Sequence, residues 1–146
     1  MPRRTGAITA LYPMPVVKES PCFCINIPSE AMPRKGDSAG IVSGKRIVTS
    51  QVFESYTGGE VTKAPPIKDC PVGMECRPVN TLDLPTHDVF IAEILATYAN
   101  ENVLTDDRID IAKLKPLPFD MSSRTYWSWG PAVGDCRDMG KKMGGD

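Results

Sequence analysis

The chain has 146 residues, which points to about one domain. Its 17 lysines and arginines nearly balance 18 aspartates and glutamates, which argues against a strongly basic nucleic-acid binder and an acidic solvating tail. Hydrophobic residues make up 41%, but no apolar run approaches the roughly 20 residues of a membrane helix; the most apolar stretch, DVFIAEILATY, carries Asp88 and Glu93.

The opening MPRRTGAITALYPMPVV starts basic and mildly apolar. Pro13 and Pro15 interrupt it and no convincing small-residue cleavage site follows, so it reads as mature protein. Within it, residues 7–17 read as a short strand broken by prolines. CFCINI, residues 22–27, is a second strand of aromatic and β-branched residues bounded by Pro21 and Pro28. Ser29 could open a helix that Pro33 ends or resets. Asp37 or Ser38 could cap another that stops near Gly44. Residues 45–70 mix patterns with loop signals such as TGGE and APP. GMECRPVNTLDL and DVFIAEILATY then form two strand-like runs joined by the turn-rich PTH. In the second run Val89, Ile91, Glu93, Leu95 and Thr97 share one face, while Phe90, Ala92, Ile94, Ala96 and Tyr98 share the other. Both faces are largely apolar, as in a barrel wall that also serves as a subunit interface. DDRIDIAKLK, residues 106–115, reads as a short helix ended by Pro116, and the aromatic TYWSWG precedes a polar, Gly-rich end.

Five cysteines, Cys22, Cys24, Cys70, Cys76 and Cys136, have an odd count and irregular spacing, which argues against a disulfide framework. With one histidine, His87, and no C-x-x-C pair, zinc ligation is not expected. The thiols read as reduced side chains of a cytoplasmic protein, acting mostly as small hydrophobes. Glu93 lies in an apolar strand and needs a partner, such as Arg124 or a backbone donor.

The ordered segments TALYPMPVV, FCINIPSE, DSAGIVSGKR, APPIKDCPVGMECRPV, THDVFIAEILATYANENVL, DIAKLKPLPF and SRTYWSWGPAVG resemble the flavoredoxin-like branch of the flavin reductase family over most of residues 7–134. The resemblance implies a mainly β fold with short helices, an FMN-binding split β-barrel. In that family several strands and loops that cradle much of the flavin stand between the Y-P-x-P-V strand and the N-I-P-S strand. Here Val17 runs almost directly into Lys18–Cys22, so the barrel is expected to be incomplete. Ala92 stands where the family usually has glycine. The whole of residues 1–146 is read as one shortened domain, with 135–146 as a flexible tail.

What the resemblance implies for function is an FMN-dependent NAD(P)H oxidoreductase or flavin electron carrier, with a homodimer and an electron-transfer partner. Nucleic acid, membrane and metal are not expected. The alternative is a shortened, non-catalytic homologue that serves as a dimeric scaffold, or the product of a decaying gene, binding flavin weakly or not at all. His87 corresponds to a residue near the flavin and nicotinamide, where an imidazole could hydrogen-bond a ring carbonyl; otherwise it caps a strand end. Tyr126, Trp127 and Trp129 would wall a ring pocket, or pack in the core or a dimer. Ser43, Lys45 and Arg46 would meet the phosphate, or follow a helix C-cap at Gly44 as solvated groups.

Overall fold

The computed structural model describes residues 4–10, 18–41, 53–56, 61–86, 88–136 and 138–141. Its centre is a four-stranded antiparallel sheet in the order β1-β4-β3-β2, with β1 at Arg4–Ala10, β2 at Phe23–Ile27, β3 at Val72–Asp83 and β4 at Asp88–Ala99. β3 and β4, the two strand-like runs read on either side of the turn-rich PTH, form a long hairpin, and β1 and β2 are the edges. The described strands do not close into a barrel. The opening strand begins earlier than the prolines suggested, and residues 11–17 lie outside the described residues.

Two irregularities shape the hairpin. Register shifts fall between Glu75 and Cys76 and between Pro78 and Asn80. Proline has no N–H for the ladder, so a central strand accommodates Pro78 at a bulge. Ala92 is buried opposite both Pro78 and Gly6, so its methyl group lies on a covered part of one sheet face.

The sheet's two faces are covered differently. On one, Ile27, Val72 and Ala99 pack with Val103 and Leu114. Val103 ends a 3-10 turn at Glu101–Val103, and Leu114 ends the four-residue helix α2, Ile111–Leu114. Asp110 caps α2 by accepting from Ala112 N–H at 2.9 Å, and Lys115 closes it in the left-handed conformation. This corrects the expected helix over 106–115: Arg108–Ile109 is instead β6, paired with β5 at Leu104–Thr105. The opposite face carries Cys24, Asn26, Gly73, Glu75 and Tyr98, with residues 61–67 laid across it. There Met32, Phe53 and Cys70 form a second small core against Ile67.

Helix α1 runs from Pro33 to Ile41. Pro33 therefore starts the helix, because the first helical position needs no N–H donor and proline's fixed φ suits it. Ser29 opens no helix: it forms a β-bridge to Pro116. Asp37 and Ser38 lie inside α1, and Ser38 Oγ donates back to Lys35 O at 3.0 Å. A last hairpin joins β7, Phe119–Asp120, to β8, Thr125–Tyr126, and α3 follows at Asp138–Lys141. Asp120 holds that hairpin's turn by accepting from Ser122 N–H at 2.9 Å and Ser123 Oγ–H at 2.6 Å.

Candidate functional site

The chain leaving β2 builds the site. Glu30 N–H donates to Lys115 O at 2.9 Å and Leu117 N–H donates to Pro28 O at 3.1 Å, which ties Pro28–Glu30 to the segment after α2. Lys115 Nζ also pairs with Glu30 at 2.8 Å. From this ribbon the chain turns through Ala31 and Met32 into α1, and a cleft opens on each side of the turn.

The first cleft, about 570 Å³, is bounded by Ser29–Lys35 and Asp69. It brings Arg34 and Lys35 to one wall, and Lys35 Nζ pairs with Asp69 Oδ2 at 2.8 Å. The second, about 460 Å³, lies between Glu30, Ala31 and Pro33 on one side and Leu117, Tyr126, Trp127 and Ser128 on the other. The clefts share Glu30, Ala31 and Pro33, the residues of the turn between them. Tyr126 is set by its hairpin: its ring stacks at a tilt on Phe119, 4.8 Å between centroids, and its hydroxyl donates to Asp37 Oδ1 at 3.1 Å. Burial, and then the hydrogen bond to the Asp37 carboxylate, raise the Tyr126 pKa, so the phenol stays protonated and remains a donor. Trp127 N–H donates to Pro118 O at 3.0 Å, leaving its indole on the second cleft.

Of the residues singled out from sequence, Tyr126 and Trp127 meet in this double cleft. Trp129 lines neither part and, like Trp127, is 58% exposed, which rules out core packing for both within this chain. Ser43, Lys45, Arg46 and His87 lie outside the described residues. Arg34, Lys35, Asp69 and Glu30 were not anticipated; the cationic pair in PRK at the mouth of a helix was the available signal.

Buried charge elsewhere is satisfied. Glu93 bonds Arg77, its cross-strand partner, rather than the suggested Arg124, which occupies the β7–β8 turn with φ 54°. Glu75, entirely buried, accepts from Val61 N–H, Thr62 N–H and the Tyr98 hydroxyl. Burial alone would raise its pKa, but the side chain of Thr62, the Tyr98 hydroxyl and the Thr62 and Val61 N–H groups outweigh it and hold the carboxyl below its ordinary range. Burial pushes the Cys70 and Cys76 thiols up to about 11, as expected for packing groups rather than nucleophiles. No metal-binding cluster occurs among the described residues. No described helix is long and apolar enough to cross a membrane.

The described fold is an open, mainly β sheet with short helices, with two clefts beside the turn into α1. The family described as "Flavin reductase like domain" matches residues 12–124, and the chain belongs to that family. It is similar to flavoredoxin from Methanosarcina acetivorans, with 35% identity and a TM-score of 0.85 over 95% of this chain and 75% of that one. Flavoredoxin of Desulfovibrio vulgaris (Miyazaki F) matches with 26% identity and a TM-score of 0.82, over 93% and 80% of the two chains. Nitrilotriacetate monooxygenase component B from Bacillus cereus shares the fold, at 16% identity and a TM-score of 0.77, over 89% and 71%. No curated protein matches the sequence.

Proposed function

We propose that this chain is an FMN-binding oxidoreductase domain that takes reducing equivalents from NAD(P)H or carries electrons to a protein partner. The observation that carries this reading is the 35% identity and TM-score of 0.85 to a flavoredoxin across 95% of the chain. The chemistry of the double cleft fits the cofactor in kind. Ala31, Pro33, Leu117 and Trp127 offer an apolar and aromatic wall for a flat ring, and Arg34 and Lys35 offer cations for a phosphate. Bound FMN would supply the redox chemistry, accepting hydride from the nicotinamide and releasing electrons to an acceptor. The protein's part is to bind, orient and exclude water. Tyr126 fixes the hairpin that presents Trp127, and Lys35 exchanges Asp69 for phosphate oxygens. His87, which directly precedes β4, is assigned the contact to a ring carbonyl. Ser43, Lys45 and Arg46 are assigned to the phosphate, from the same or a partner subunit. A cytoplasmic homodimer that covers the exposed Trp127 and Trp129 completes this reading.

One observation favours a second reading. The match covers 75% of the Methanosarcina flavoredoxin chain, and the described sheet stays open at β1 and β2. A shortened scaffold with little affinity for flavin would look the same. Titration of FMN with the purified protein separates the two, with flavin fluorescence and the visible spectrum as readouts. Saturable quenching with a Kd of about 10 μM or tighter, roughly 7 kcal/mol of binding, is expected. A spectrum unchanged at about 1 mM protein, where a Kd of that order would half-saturate the flavin, refutes it in favour of the scaffold. In a binding protein, His87→Ala is expected to reduce NAD(P)H oxidation far more than FMN affinity; equal losses would leave His87 a binding residue only.

A further inference from the structure

Residues 61–67 cross one face of the sheet as a strap that meets it at three places. At the first, the N–H groups of Val61 and Thr62 donate to the Glu75 carboxylate, which also accepts from the Tyr98 hydroxyl. At the second, Pro66 lies over Gly73, where an added Cβ would stand 3.4 Å from the Pro66 Cβ. At the third, Ile67 N–H donates to Asn26 Oδ1 at 2.8 Å. The strap then turns, with Cys70 N–H donating to Ile67 O at 3.2 Å, and this turn sets Asp69 against Lys35 in the first cleft.

Two of these anchors are neutral, and the third is a fully buried carboxylate. An apolar side chain would fill the same place in β3 without the cost of desolvating a charge. What the charge adds is strength toward N–H donors, since charge-assisted hydrogen bonds are about twice as strong as neutral ones. Two of its three donors belong to the strap. The third, Tyr98, comes from the adjacent strand and orients the carboxylate toward them.

We propose that Glu75 is a positioning residue: it latches the 61–67 strap to the sheet and thereby holds Asp69 and Lys35 in the geometry of the cleft. Only its last step, the effect on ligand affinity, rests on the reading of the cleft as a flavin phosphate site.

The test compares the full-length protein with Glu75→Gln and Tyr98→Phe. Hydrogen exchange without flavin is read for peptides over 61–68 and over 88–98, and FMN titration follows. The glutamine keeps the size but replaces an acceptor oxygen with a donor facing donors. Strap amides are expected to exchange about tenfold faster or more in Glu75→Gln, with β4 amides unchanged. Tyr98→Phe is expected to move the strap in the same direction by less. The wild-type strap should also lose protection on acidification in a step that Glu75→Gln lacks. Among the described residues the groups facing Glu75 are Cys24 from β2, Tyr98 from β4, and Val61 and Thr62 from the strap, none of them a second carboxylate. FMN affinity is expected to fall about tenfold in Glu75→Gln.

Unchanged strap exchange in a folded Glu75→Gln protein overturns the proposal, as does equal loosening of strap and β4. If Glu75→Gln does not fold, Tyr98→Phe decides by the same strap-against-β4 comparison. A loosened strap with unaltered FMN affinity overturns the positioning role. A wild type that binds no FMN defeats the proposed function, and the strap comparison still decides the latch.

Discussion

α2 offers a direct test of which side chains hold the fold. It is one turn long and carries two large apolar residues, Ile111 and Leu114. Leu114 is 3% exposed and packs with Val72, Val103, Ile27 and Ala99; Ile111 is 48% exposed. Leu114→Ala removes a buried isobutyl group and leaves a cavity in the small core, which costs about 2–5 kcal/mol. Ile111→Ala removes a chain of similar size that is half in water, and alanine is also the better helix former, so the cost is about 1 kcal/mol or less. Against a whole-domain stability of about 5–15 kcal/mol, the first change is a large fraction and the second a minor one. Urea unfolding followed by far-UV circular dichroism should therefore show a marked fall in midpoint for Leu114→Ala and a small one for Ile111→Ala, with similar slopes. An Ile111→Ala loss equal to or larger than that of Leu114→Ala would refute the placement of α2 on the sheet. The effect should also reach the site, because Lys115 O receives Glu30 N–H directly beyond the helix.

Three further outcomes are expected. The Glu75 carboxyl is held below its ordinary range in the folded protein, so the unfolded chain binds the extra proton first. Stability from this group is then present above the ordinary carboxylate pKa and lost as pH falls through the lowered one, so Glu75→Gln should flatten the acid limb of a stability–pH curve. Lys18 bridges Asp83 at 2.6 Å and the buried Asp88 at 3.0 Å, which face each other across β3 and β4. Lys18→Met should lower the melting temperature, and Asp83→Asn in that background should restore part of it by removing the exposed like charge. Because these hydrogen bonds raise the Lys18 pKa, its contribution is full below the ordinary lysine pKa and lost only as pH rises through the raised one. Thiol labelling followed by mass spectrometry at pH 8 should modify exposed Cys136 first and buried Cys70 and Cys76 last, and prompt labelling of Cys76 would contradict its place in the sheet.

The parts of this fold legible in the sequence are those governed by local periodicity. β3 and β4 announce themselves because both are long strand-like runs, the second apolar on both faces, and a Pro-containing turn separates them. α1 shows how a local rule can mislead. Proline breaks a helix interior but starts one equally well, and the choice at Pro33 depends on the ribbon that Pro28–Glu30 forms with residues 115–117. The partners of buried charges are less legible still. Glu93 meets Arg77, 16 residues away, only because a register set partly by two bulges places them opposite. Glu75 takes its donors from 13, 14 and 23 residues away on two different elements. Of the candidate site, the aromatic half was readable, because Tyr126 and Trp127 belong to one short run. The cationic half was not, because Arg34 and Lys35 become a cleft wall only when the strap returns Asp69 to them.

The cleft is therefore a product of both faces of the sheet. From one face, apolar packing of Leu114 fixes the segment that pairs with Pro28–Glu30, and with it the start of α1 and the position of Leu117. From the other, polar anchoring of the strap fixes Asp69 and, through it, Lys35. The two supports differ in physical kind. Apolar packing is insensitive to pH, and a buried carboxylate is not. A ligand bound between them would draw its ring contacts from the side held by packing and its anion contacts from the side held by hydrogen bonds. Acid strong enough to take the pH through the lowered Glu75 pKa should then weaken the anion contacts before the ring contacts, because the strap is the support whose strength depends on ionisation.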